Sequence, residues 1–249
     1  MRQDPTTHDG SFKLYSVFTG LFVSTLIISN VASSAKIIAF GPFVFPGGAL
    51  IFPISFIFGD ILTEVYGYER SRKVIWTGFF CLVLATLNFY IVQIIPGASF
   101  WNNQAAYDSI FSIVPRVVLG SMSAYFLGEF CNSWVLSKMK YRAEGKRGAS
   151  QAWRFIASTV VGEAVDSVVV LVIGFSGVLS IQQMIQVGGS LYVFKVLYEI
   201  IATPLSTRVA NWVKRVEGVD QIDTPETTNY NPFASLSVAA KASAEANPH

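Results

Sequence analysis

Six runs of predominantly apolar residues, each about twenty long, constrain how this chain can fold more than anything else in it: roughly 14–35, 48–66, 74–95, 112–136, 155–178 and 187–209. At 1.5 Å per residue, such a run crosses the ~30 Å hydrocarbon core of a bilayer. Only helices and closed barrels satisfy their own backbone there, and long continuous apolar runs are helical. The expected fold class is an all-α integral membrane protein, a bundle of six transmembrane helices. Charged residues make up only 14% of the chain and the mean hydropathy is +0.47, whereas about a quarter of residues are charged in soluble domains. Trp76, Trp101, Trp134, Trp153 and Trp212 fall near the ends of these runs, where interfacial anchors belong.

The stretches between the runs are short or polar and leave no room for a soluble domain. Residues 1–12 read as a flexible N-terminus, 13–215 as the six-helix transmembrane domain, and 216–249, rich in Ala, Ser, Thr and Asn, as a disordered tail. Of the 18 Lys and Arg, three (Lys36, Arg116 and Lys195) lie at or within the runs and the rest fall on one side. The loops at 42–46, 96–109 and 179–186 on the other side have none, so both termini are expected in the cytoplasm. Residues 14–29 followed by the small residues 31–35 resemble a secretory signal, but the apolar run is longer than a typical signal core, and the expectation is that it is retained. Cys81 and Cys131 sit inside runs and read as reduced apolar fillers. With His8 and His249 confined to the ends, no metal site or cofactor is expected.

Charges inside the runs are the functional signal. Asp60, Glu64, Glu129, Glu163, Asp166, Glu199 and Lys195 interrupt otherwise apolar sequence. A charge at membrane depth costs at least ~2.5–3.5 kcal/mol, so by default it faces a bundle interior and serves a ligand or ion. Spacings of three and four residues put Asp60, Thr63 and Glu64 on one helix face. The same holds for Glu129, Asn132 and Ser133, for Glu163, Asp166 and Ser167, and for Lys195, Tyr198 and Glu199. Counted along the helix axis, these groups occupy one slab roughly 10–20 Å deep. The fourth and fifth runs also share a local pattern, GEFCNSWV at 128–135 and GEAVDSVV at 162–169, which hints at an internal duplication. Pro53 is expected to kink the second span, freeing a carbonyl toward a cavity, and Asn30 and Lys36 join the candidate site.

Six acids against Lys195, Lys36 and Arg116 leave an excess of three negative charges, even if Lys195 pairs with Glu199 at i, i+4. Either some carboxylates hold protons or the cavity receives a cation or a ligand rich in N–H donors, and both suit ion-coupled transport.

The stretch PGGALIFPISFIFGDILTEVYG at 46–67, with SNVASSAK at 29–36, resembles the signature region of the queuosine precursor transporter family, also called vitamin uptake transporters. The likeness extends more weakly through GEFCNSWV, GEAVDS and YVFKVLYEIIATPLSTRV, covering roughly residues 12–215. This resemblance implies an importer in the bacterial inner membrane, with both termini cytoplasmic, for 7-cyano-7-deazaguanine or 7-aminomethyl-7-deazaguanine. Its partners would be that small molecule and membrane lipid, without nucleic acid, and a homo-oligomer is left open. Under that implication a carboxylate would accept N1–H and the exocyclic amine together. Asn30, Asn132 or Lys195 would serve the carbonyl, and Phe56, Phe126, Phe194 or Tyr198 would stack on the ring.

Two other classes compete. A substrate-binding membrane subunit of a vector-type ABC vitamin importer would also use six helices, but would need an ATPase and a scaffold. An intramembrane enzyme could use paired carboxylates such as Asp60 with Glu64, but the chain has no P-loop and no HExxH, and catalytic residues are not expected.

Overall fold

The computed structural model describes residues 12–40, 43–111, 115–175, 180–224, 226 and 228–234. Helix α1 (Tyr15–Ala35) leads into a hairpin of β1 (Ile37–Phe40) and β2 (Phe43–Pro46), then a 3₁₀ turn (Gly47–Leu50). Helices α2 (Phe52–Tyr66), α3 (Tyr68–Ile94), α4 (Gln104–Phe111), α5 (Pro115–Arg142), α6 (Ala149–Val170) and α7 (Ile181–Glu217) follow, with a π turn (Leu171–Phe175) closing α6.

The described residues are predominantly helical, and a helix covers most of the described part of each of the six apolar runs. Among the described residues, three stretches, Tyr15–Ser33, Tyr68–Ile94 and Ala149–Ile173, are long and apolar enough to cross a membrane by length and composition alone. Helix α2 has only 15 residues, and α5 and α7 carry charges along their length. The surface is inverted relative to a soluble protein: Phe80 is 66% and Ile201 79% exposed, while Glu129, Glu163 and Arg154 are fully buried. An apolar rind around a polar interior is what lipid as solvent selects, and the chain is a membrane protein.

Three expectations need correction. The connection after α1 is not an irregular loop: Ile37 pairs with Pro46 and Phe40 with Phe43 in an antiparallel ladder. Two apolar tetrads flanking Gly41-Pro42 carry the β-branched and aromatic residues such a ladder favours; Gly41 and Pro42 themselves lie outside the described residues. Pro53 does not kink a span. It sits in the first turn of α2, where its missing N–H has no intrahelical partner to lose. The tail from 216 is not wholly disordered, because its described residues 218–224, 226 and 228–234 pack on the helix ends. Gln221 N–H bonds Val65 O at 3.0 Å, Arg72 donates to Asn231 O at 2.9 Å, and Trp76 donates to Pro232 O at 2.8 Å. Asp223 accepts the Tyr68 N–H at the start of α3, and the backbone carbonyls of Asn231 and Pro232 accept from α3 side chains, roles that a compositional reading counts only as polarity.

Glycines set two of the closest approaches. Gly48 lies against α1 so tightly that a Cβ there would fall 2.0 Å from Ser29 O and 2.1 Å from Ser33 Oγ. Ser29 Oγ in turn donates to Gly48 O at 3.0 Å, tying the 3₁₀ turn to α1. Gly67, at φ +84°, ends α2 and starts α3, a conformation that side chains rarely adopt.

Candidate functional site

Helices α5 and α6 cross at Gly128 and Gly162, one glycine from each copy of the shared pattern. A Cβ on Gly128 would come within 2.9 Å of Gly162 O, and a Cβ on Gly162 within 2.9 Å of Gly128 O. This reciprocal contact lets the backbones touch and points the residues that follow each glycine into the bundle. From α5, Asn132 Nδ2 donates to Asp60 Oδ1 of α2 at 2.8 Å. From α6, Asp166 Oδ2 accepts from Lys195 Nζ of α7 at 2.7 Å, and a Glu163 oxygen lies 2.8 Å from the same ammonium. Lys195 also lies over the Phe52 ring, 4.4 Å from its centroid. Glu129 rests directly on α2: a Cβ on Gly59 would fall 1.8 Å from Glu129 Oε1.

Asp60, Glu129, Glu163, Asp166 and Glu199 are all buried, and Lys195 is the cation paired among them. Among the described residues, Asp60 Oδ2, both Glu129 oxygens, both Glu199 oxygens, Asn132 Oδ1 and the Tyr125 hydroxyl are buried without a hydrogen-bond partner. A buried polar group left this way costs about 1–3 kcal/mol, and more if charged. The groups chemically able to satisfy them are protons or N–H and O–H donors. Tyr125 packs edge-on against Phe52 and Phe56, with centroids 5.7 and 6.4 Å away, so the polar cluster has an aromatic wall. Among the described residues no group of three or more His, Cys, Asp or Glu is arranged to hold a metal ion.

The family described as "Putative vitamin uptake transporter" matches residues 46–209, about two thirds of the chain and all of these groups. This protein belongs to that family. It is 28% identical over 158 residues to the "Probable queuosine precursor transporter" of Bacillus subtilis (strain 168), covering 63% of this chain and 68% of that one. It is 24% identical over 159 residues to the "Queuosine precursor transporter" of Escherichia coli (strain K12), covering 62% and 67%. No solved structure matches.

In this vitamin uptake transporter family member, the residues expected at the site divide into three groups. Asp60, Glu129, Asn132, Glu163, Asp166, Lys195 and Glu199 come from four helices, tied by the bonds from Asn132 and Lys195. Lys195 pairs with α6, not with Glu199 on its own helix, because Glu163 and Asp166 meet it head-on across the α6–α7 contact. Glu64 is taken up elsewhere. Its carboxylate receives both Arg154 Nε, at 2.8 Å, and Arg154 Nη2, and Lys214 Nζ at 2.6 Å. The third group lies at the edges: Asn30 is half-buried on α1, Lys36 is exposed at its end, Pro53 is buried in the first turn of α2, and Tyr198 packs on Phe194 at 6.4 Å. Phe194 itself stacks on Phe45 of the hairpin, and Phe126 packs with Trp76 and Phe130. Arg116, counted as a partner for the acids, has a side chain outside the described residues.

The charge pattern of the sequence puts Arg154, Lys140 and Lys214 on the basic cytoplasmic side and gives no hint that they enter the interior, yet all three are buried.

Proposed function

We propose that this chain imports queuosine precursors, 7-cyano-7-deazaguanine and 7-aminomethyl-7-deazaguanine, across the bacterial inner membrane by ion-coupled secondary transport. It does so as a six-span bundle with both termini in the cytoplasm. The observation that carries this reading is the set of buried acceptors without partners, Asp60 Oδ2 and the oxygens of Glu129 and Glu199, beside the Phe52, Phe56 and Tyr125 wall. A deazaguanine offers the complement: a flat ring to lie on the aromatic wall and adjacent N–H groups that one carboxylate accepts in two-point contact. The Tyr125 hydroxyl, buried and without a partner, is a donor for the ring carbonyl. Excess carboxylate over Lys195 supports a coupling proton or cation. Family membership and the names of the two relatives support the substrate class.

The test is a titration of purified protein with the cyano, aminomethyl and plain guanine forms, repeated with Asp60→Asn. A charge-assisted hydrogen bond contributes about 1.5–3 kcal/mol, so the variant should bind more than about tenfold more weakly while staying monodisperse. Wild-type protein that binds no deazaguanine would sink the substrate assignment, and unchanged affinity in Asp60→Asn would remove Asp60 from the site.

A further inference from the structure

One turn beyond Asp60 on α2, about 6 Å along the helix axis, the site is floored by a second set of charges that the binding chemistry does not use. Glu64 joins Arg154 of α6 and Lys214 of α7, all three fully buried. Lys140 of α5 donates to the Glu64 backbone carbonyl and to Gln221 O. Asp220, in the segment after α7, bridges Lys140 at 2.6 Å and Lys214 at 2.9 Å. All four helices that build the site are thus tied together in one layer by charges.

The segment that supplies Asp220 continues as a strap. Asp223 accepts from Tyr68 N–H at 2.9 Å, at the start of α3, and from Ser137 of α5 at 2.5 Å. Tyr230 packs on Tyr68 and lies under the Lys138 ammonium, 3.8 Å from its ring centroid. Further along, Arg72 and Trp76 hold the carbonyls of Asn231 and Pro232. The described residues of the strap thus link the end of α7 to α5 and to α3.

We infer that this charged layer, latched by the strap through Asp220 and Asp223, is the inner gate of the transport path, and that it must come apart each time the site opens to the side where the strap lies. The inference rests on reading the chain as a transporter. A buried ion cluster suits a gate better than apolar packing does. Its desolvation cost is recovered when water enters, so the closed state, with charges paired, and the open state, with charges hydrated, lie close in energy. An apolar floor would gain nothing from the water that an opening admits.

Thiol labelling tests this without any substrate. In the full-length protein carrying Cys81→Ser and Cys131→Ser, Ser158→Cys puts a single thiol one turn above Arg154 on α6, at a buried position. In inverted membrane vesicles, a membrane-impermeant maleimide should label this parent slowly. Asp220→Asn and, independently, Asp223→Asn should each raise the rate about tenfold by shifting the gate toward its open state, while Glu226→Gln, an exposed change on the same strap, leaves it unaltered. Should Asp220→Asn aggregate, Ser137→Ala, a neutral truncation that removes the α5 hydrogen bond to Asp223, is read the same way. Parent-like labelling in the well-folded strap variants would overturn the gate. A deazaguanine titration of the same vesicles reports separately on the substrate, so a wrong ligand and a wrong gate give different results.

Discussion

Two Gly→Ala substitutions separate the site from the scaffold. In Gly59→Ala the new methyl would meet Glu129 Oε1 at 1.8 Å, with Glu129 Cδ the next atom at 2.9 Å. What it strikes is the end of a flexible side chain, so the carboxylate swings off α2 and the backbone stays. In Gly162→Ala the methyl would meet Asn132 Cβ at 2.8 Å and Gly128 O at 2.9 Å. Neither atom can move without parting α5 from α6. Alanine gains up to about 1 kcal/mol of helix propensity at either position, and forced overpacking costs about 1–3 kcal/mol. Gly59→Ala should therefore keep stability within about 1 kcal/mol of wild type. It should weaken deazaguanine binding by about ten- to a hundredfold, the worth of one misplaced charge-assisted acceptor. Gly162→Ala should lose about 1–2 kcal/mol of stability. Thermal unfolding in detergent and ligand titration of both variants decide it. Wild-type affinity in Gly59→Ala would show that Glu129 needs no support from α2, and wild-type stability in Gly162→Ala would refute the close crossing.

Cysteines placed at the exposed positions Lys73 and Gly148 should be shielded from an impermeant reagent added outside intact cells, and one at Ser99 accessible; the reverse pattern refutes the proposed orientation. Among single amide variants of Glu129, Glu163, Asp166 and Glu199, at least one should change the pH profile of uptake, and four unaltered profiles would mean that a coupling proton travels elsewhere. Burial raises the Asp220 pKa, but Lys140 and Lys214 outweigh it and hold the group below its ordinary value of 3.8. A lowered pKa in the folded state stabilises the fold above the unfolded-state value and is lost as pH falls through the folded one. The melting-point gap between wild type and Asp220→Asn should therefore be full at pH 6 and close progressively below about pH 4; a gap that stays constant down to pH 3 would contradict it.

Helix-periodic stripes make the site legible in the sequence. Asp60, Glu129, Glu163, Asp166, Lys195 and Glu199 stand out because charge in apolar sequence is costly wherever it lies. The pairing is not legible: Lys195 has Glu199 in reach on its own helix, and only the α6–α7 packing decides for Asp166 and Glu163. Arg154, Lys140 and Lys214 are hidden for the opposite reason. They fall where basic residues are expected on topological grounds, so nothing in the pattern distinguishes a buried cation from a solvated one. The packing of described tail residues such as Asp223, Tyr230 and Asn231 escapes composition because it rests on single residue-to-residue contacts, which no average over the segment records.

The shared pattern in α5 and α6 acquires its meaning from what each copy touches. Gly128 and Gly162 make the same contact reciprocally, each lying against the other's carbonyl oxygen. Four residues after each glycine, Asn132 reaches α2 through Asp60, and Asp166 reaches α7 through Lys195. One residue after each glycine stands a buried glutamate, Glu129 against α2 and Glu163 against Lys195. The copies therefore each reach a neighbouring helix, and of the four positions at which the octets differ, the fifth is an amide in one and a carboxylate in the other. Because of that difference, one half sets Glu163 and Asp166 against a single ammonium, while in the other Asp60 Oδ2 and both Glu129 oxygens are buried without a hydrogen-bond partner. The two octets thus share glycine, glutamate, serine and valine, and the exchange of Asn132 for Asp166 at the fifth position decides which neighbouring group each helix holds: the Asp60 carboxylate of α2 in one case and the Lys195 ammonium of α7 in the other.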